Sequence, residues 1–139
     1  MRRPLKGDVW QYEYLWNREH EAGAETGRKS RPTALVTTFV GKDGRTNLFW
    51  IPITSKEPHK GRLAIEVPQM ERKRAGLASD MRLWVMVDEY NHEFLETSFY
   101  FDPNGYQGAF STVFTDQILD LLIEAGRKGR LKMVPRHDV

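Results

Sequence analysis

Polar and apolar side chains alternate first over residues 9–16, where Gln11 and Glu13 fall between Trp10, Tyr12 and Tyr14. A two-residue period sends successive side chains to opposite faces and predicts a half-buried strand. The charged, glycine-bearing stretch over residues 17–30 has no apolar period and reads as a long mobile loop. Arg31-Pro32 then leads into a β-branched run over residues 33–40, a second strand. Gly41-Lys42-Asp43-Gly44 supplies the positive backbone angles of a hairpin turn, and residues 46–54 read as the partner strand. Alternation returns over residues 62–67 and stops at Pro68; residues 69–75 read as a short helix capped by Gly76. The continuous apolar run over residues 83–87 predicts a central strand, residues 97–101 another, and Asp102-Pro103-Asn104-Gly105 a turn. Ser111 is suited to cap a helix in which Val113, Phe114, Ile118, Leu121, Leu122 and Ala125 recur at helical spacing up to Gly126. No repeat or linker divides the chain, so the pattern predicts one domain over residues 1–139, mainly β with α (α+β).

Composition narrows the class. A chain of 139 residues with 40% hydrophobic and 12% aromatic side chains can bury one real core, which excludes a disordered chain. No apolar stretch is long enough to cross a bilayer. Arg2, Arg3 and Lys6 stand near the start, but Asp8 and Gln11 interrupt the apolar run that a signal peptide needs. Without cysteine there is no disulfide framework and no thiolate metal site, which suits a reducing compartment. The expected location is the cytoplasm, with no membrane association.

A net charge of +2 diagnoses no partner, so its distribution carries the information. Arg28, Lys29 and Arg31 cluster at the end of the first loop, and Lys56, Lys60 and Arg62 in a second; Arg72 to Arg74 and Arg127 to Lys132 form further basic groups. The groups beside the two loops are the ones placed to meet a polyanion. Trp10, Tyr12, Tyr14 and Trp16 share one strand face, which is either a stacking platform for unpaired bases or buried core. Phe49 and Trp50 fall on opposite faces of their strand, so one of them should be exposed or at an interface, as a homodimer would explain.

Lys6-Gly7-Asp8-Val9, the stretch from Gly27 to Arg31-Pro32, Ile51-Pro52-Ile53-Thr54 and Leu77-Ala78-Ser79-Asp80, followed by the carboxy-terminal helix, together resemble the MazF/PemK family of toxin ribonucleases in order and spacing. That resemblance implies a small, SH3-like, partly open antiparallel barrel of the CcdB/PemK type with a short mid-chain helix and a carboxy-terminal helix. It also implies a homodimer that cleaves single-stranded RNA without a metal or cofactor, as the toxin of a type II toxin-antitoxin pair restrained by an antitoxin with an acidic segment. The family's catalytic arginine and strand-end threonine or serine fall on Arg31 and Thr54, with Ser55 adjacent. The chain departs from the family pattern at two places: a glutamate stands at Glu25 rather than at position 26, and Asp88-Glu89 replaces a cation-bearing pair.

The chemistry can also be weighed from the residues. Cleaving RNA to a 2′,3′-cyclic phosphate needs a proton acceptor for the 2′-hydroxyl, a cation for the charge growing on phosphorus, and a donor for the leaving oxygen. Arginine suits the second task, since its fork holds two phosphate oxygens and stays charged. Arg31 is the candidate clamp, unless it is a structural partner of Glu13 or Glu25. Thr54 is a candidate donor; Glu25, His59 or His20 could move the proton; Arg28, Lys29, Ser55, Lys56 and Lys60 are candidate RNA contacts. His92 and His137 show no metal-ligand spacing. The competing class is a non-catalytic nucleic-acid- or protein-binding relative on the same barrel. A gyrase poison of the CcdB kind is disfavoured, because the chain lacks a tryptophan near its end.

Overall fold

Strand β1 (Asp8–Tyr12) pairs antiparallel with β2 (Arg31–Val40), and β2 with β3 (Thr46–Thr54), in the order the alternation predicts. The coordinates are a computed structural model that describes residues 2–24, 29–98 and 100–136. One end of β3 pairs with β5 (Trp84–Met86), which in turn pairs with β4 (Ala64–Glu66); the other end pairs with β6 (Glu89–Phe94). β7 (Phe101–Ala109) lines the free edge of β1, and β8 (Lys132–Pro135) runs parallel to β6. The product is an eight-stranded, mainly antiparallel sheet that does not close, accompanied by α1 (Asn17–Glu21), α2 (Gln69–Arg74) and α3 (Thr112–Arg127). The α+β class holds at this level. No helix among the described residues is long and apolar enough to cross a membrane.

The two faces of the sheet bury different chemistry. Val9, Ala34 and Ile51 share a register row and pack with Phe114, Ile118 and Leu122 of α3 into a mainly aliphatic core. The opposite row, with Trp10, Tyr12, Leu35 and Trp50, forms an aromatic core, joined by Ala64 of β4, Met86 of β5 and Phe101 of β7. Elements from both ends of the sheet meet there, so the sheet curls over its aromatic face. Tyr12 and Trp50 stack at 4.7 Å between centroids. The aromatic row of the first segment is therefore core and not a base platform: Trp10, Tyr12, Tyr14 and Trp16 are each at most 5% exposed. Of the neighbours Phe49 and Trp50, Trp50 is buried, whereas Phe49 is half-buried and stacks on the exposed Phe39.

Several expectations shift. The first strand stops at Tyr12, and the chain beyond it is held by side chains instead of a ladder. The Asn91 amide donates to the Leu15 carbonyl at 2.8 Å and accepts from its N–H at 2.9 Å, while Glu89 accepts from the Asn17 N–H at 2.9 Å and the Tyr14 hydroxyl at 3.0 Å. The stretch expected to be a loop begins with α1, because the Glu19 carboxylate accepts from the Trp16 N–H at 3.1 Å and caps a turn that has no buried face. Of the strand expected over residues 97–101, Thr97 instead ends a 3-10 turn over Leu95–Thr97, residue 99 lies outside the described residues, and only Phe101 is strand, as the start of β7. Asp102 to Gly105 lies inside β7, where the register slips between Trp10↔Tyr106 and Tyr12↔Phe101; the turn residues there form a bulge. β6 and β8 were not predicted. Ser111 does cap α3, its hydroxyl accepting from the Phe114 N–H at 3.1 Å.

Candidate functional site

Thr33 lies opposite Pro52, so Arg31 at the start of β2 and Thr54 at the end of β3 come to the same end of one hairpin. A cleft of about 360 Å³ opens there. Its polar lining includes Lys29, Arg31, Thr54 and Ser55, and Leu77, Met81 and Leu83 contribute apolar surface. Gln11 of β1 and Gln107 of β7 also line it.

The elements around the cleft are locked to each other. Glu71 of α2 accepts from both the N–H and the hydroxyl of Ser111, at 2.8 and 2.7 Å, tying α2 to the start of α3. After α2 the chain turns through Gly76 at φ 70°, where a Cβ would stand 2.5 Å from the Gln107 carbonyl oxygen. The backbones of α2 and β7 touch at a distance only glycine permits.

Arg31 is half-buried, and among the described residues no carboxylate bonds to it. Its guanidinium carbon lies 5.3 Å from the Trp16 ring centroid, and its buried Nε has no hydrogen-bond partner among the described residues. Burial lowers its pKa from the usual arginine value, and the nearby Glu19 carboxylate works in the opposite sense. Of the two structural partners expected for Arg31, the Glu13 carboxylate makes no ion pair with it, and Glu25 lies outside the described residues. The Thr54 hydroxyl accepts from the Lys56 N–H at 3.1 Å, which leaves its own proton to donate.

The other candidates are placed as follows. Lys56 is exposed beside Thr54 but does not line the cleft. His59 and Lys60 are exposed on the following loop, where Arg130 donates to the Gly61 carbonyl; they do not line the cleft either. Glu25 and Arg28 lie outside the described residues. His20 is exposed at the end of α1. Asp88 and Glu89, the pair standing where the resembled family carries a cation, are held by Arg62: its fork meets Asp88 at 2.7 and 2.8 Å and Glu89 at 3.0 Å. Sequence reasoning missed Gln11 and Gln107, because two neutral amides far apart in the chain give no signal until β7 is seen beside β1. Among the described residues no three His, Cys, Asp or Glu side chains gather as metal ligands would. Compared with known proteins, the chain matches no family model and no curated protein.

Proposed function

We propose that this protein is a cytoplasmic, metal-independent endoribonuclease of the MazF/PemK type, built on a CcdB/PemK-like partly open barrel. It cleaves single-stranded RNA through a 2′,3′-cyclic phosphate and acts as the toxin of a type II toxin-antitoxin pair. The observation that carries this reading is the convergence of Arg31, Lys29, Thr54 and Ser55 on one cleft from two strand ends and a loop. An arginine that meets no carboxylate among the described residues can hold two phosphate oxygens and offset the charge of the pentavalent transition state. The free Thr54 proton can reach a third oxygen. The protein acts as a homodimer, supported by the apolar surface of Phe39, 53% exposed, which stacks on the half-buried Phe49. An antitoxin with an acidic segment would restrain it by occupying the cationic end of the cleft.

A second reading follows from another observation: among the described residues, no histidine or carboxylate lines the cleft, so no proton acceptor stands in it. A barrel of this kind that binds single-stranded RNA without cutting it would look the same. Incubation of the purified protein with a long single-stranded RNA in chelator decides between them. Discrete cuts ending in cyclic phosphate support the nuclease; saturable binding with intact RNA supports the binding module. Absence of both overturns the RNA reading. Sedimentation should give about twice 16.2 kDa, and a monomer that cuts at the full rate would exclude the dimer as the active form.

A further inference from the structure

A chain of hydrogen bonds runs along one wall of the cleft. The Gly76 carbonyl can only accept, so the Gln107 Nε2 faces it, at 3.2 Å. That turns the Gln107 Oε1 toward Gln11, whose Nε2 donates to it at 2.7 Å. The Gln11 Oε1 then faces Ser30 and accepts from its hydroxyl at 3.1 Å. The fixed acceptor at Gly76 sets the direction of the whole chain, since flipping Gln107 would put its oxygen against a carbonyl. The contact between Gly76 and the Gln107 backbone fixes the same wall a second time. Among the described residues each amide keeps one N–H and one lone pair unused, and the spare Gln11 N–H and the spare Gln107 lone pair lie on neighbouring atoms. Both side chains are half-buried and reachable from the cleft.

We propose that this amide pair reads the edge of one nucleobase, so that the cleft is a nucleotide site with the phosphate at Arg31 and the base between the amides and the Leu77, Met81 and Leu83 surface. This rests on the RNA reading above and adds what selects the cutting site. A donor beside an acceptor, held rigidly, is complementary to the hydrogen-bonding edge of a base, while the aliphatic lining can contact its ring faces. A cleft of about 360 Å³ lies at the small end of the usual ligand range of about 300 to 1,000 Å³, room for a single nucleotide unit.

The test begins with calorimetric titration of the wild-type protein with the four nucleoside 3′-monophosphates and with inorganic phosphate. At least one nucleotide should bind about tenfold or more tightly than phosphate alone. Gln11→Met and Gln107→Met, close in shape to the amides they replace, should erase that advantage and leave phosphate binding unchanged; Arg31→Ala should weaken both. If all four nucleotides bind no better than phosphate, or if the folded methionine variants keep the wild-type preference, the proposal is overturned. Should neither variant fold, the wild-type comparison decides alone. Selective nucleotide binding without RNA cleavage would sink the nuclease and leave the base site standing. Cleavage with no base preference would do the reverse.

Discussion

Replacing Gly76 by alanine separates two costs that the structure keeps distinct. Gly76 has φ 70°, and an added Cβ would lie 2.5 Å from the Gln107 carbonyl oxygen and 3.2 Å from its carbon. Gly44, in the β2–β3 turn, has φ 81° and would present its Cβ to nothing within 4 Å. Both substitutions force a side chain into the left-handed region, at about 1 to 2 kcal/mol. Only Gly76→Ala also collides, and it collides with backbone: Gln107 sits between residues of β7 paired to β1, Tyr106 with Trp10 and Gly108 with Val9. A backbone held by its neighbours cannot swing aside, so the contact between α2 and β7 must open, adding about 1 to 3 kcal/mol as other overpacked sites do. The expected loss is about 2 to 5 kcal/mol for Gly76→Ala and about 1 to 2 for Gly44→Ala. In a domain of this size each kcal/mol moves the melting temperature by roughly 3 to 5 °C. Calorimetric melts of the two variants at one pH, with urea titrations alongside, would measure the gap. Equal losses would show that the α2–β7 contact yields freely, and the rigidity argued for the cleft wall would fall with it.

Three further outcomes are expected. Arg31→Ala should melt within a few degrees of the wild type, since the guanidinium makes no ion pair among the described residues, yet lose about 10²- to 10³-fold in RNA cleavage; Arg31→Lys should recover only part, and a folded alanine variant cutting at the wild-type rate would remove Arg31 from the chemistry. Glu93 is fully buried, accepts from the Tyr12 hydroxyl at 2.6 Å and from Ser98, and is raised above its unfolded pKa chiefly by burial. Its stabilising share is complete below its unfolded value of about 4.3 and is lost as pH rises through the folded value, so the stability of the wild type relative to Glu93→Gln should fall from pH 4 toward neutrality; a difference that grows with pH would reverse the assignment. Arg136 lies between Tyr12 and Tyr100, donates to the Glu13 carbonyl and the Asn91 Oδ1, and acts on Glu93 as the nearby cation; Arg136→Ala should cost about 3 kcal/mol by urea denaturation, and an unchanged midpoint would mean that β8 is not pinned there.

The strands that alternate cleanly were legible in the sequence because a period of two has one cause, a sheet with two unlike faces. α3 was legible because Ser111 and a one-sided apolar stripe agree. What escaped has physical reasons too. β6 reads Glu-Tyr-Asn-His-Glu-Phe, and its alternation is hidden because the inward positions are Glu89, Asn91 and Glu93, polar groups that burial tolerates only with partners such as Tyr14, Leu15 and Tyr12. Those partners lie more than 70 residues away in the chain. β7 was read as a turn because Asp102-Pro103-Asn104-Gly105 has turn chemistry, which the fold uses for a bulge. At the candidate site, Arg31 and Thr54 could be placed at one hairpin end from the strand order alone. The amide wall could not, since it depends on which strand covers the free edge of β1.

Charge pairing says more about the cleft than net charge does. Arg2, Arg45, Arg62 and Arg82 each face a carboxylate at 3.0 Å or less, and Lys6 meets Asp116 at 3.0 Å. Arg62 takes up both Asp88 and Glu89, so the acidic pair that would oppose an incoming anion is already bound within the fold. Arg31 and Lys29 line the cleft with no such partner among the described residues. Burial already disfavours the Arg31 charge, the sense in which its pKa is displaced. Part of the desolvation that accompanies binding is therefore incurred in folding, and an anionic oxygen arriving at the guanidinium relieves it. A fully solvated arginine would have to shed its water on each encounter. The contrast makes salt a discriminating variable: binding at exposed Lys56 and Lys60 should fade as ionic strength rises, while the interaction at half-buried Arg31 should persist. An anion affinity that Arg31→Ala leaves untouched, and that salt abolishes completely, would place the attraction on those exposed lysines and outside the cleft.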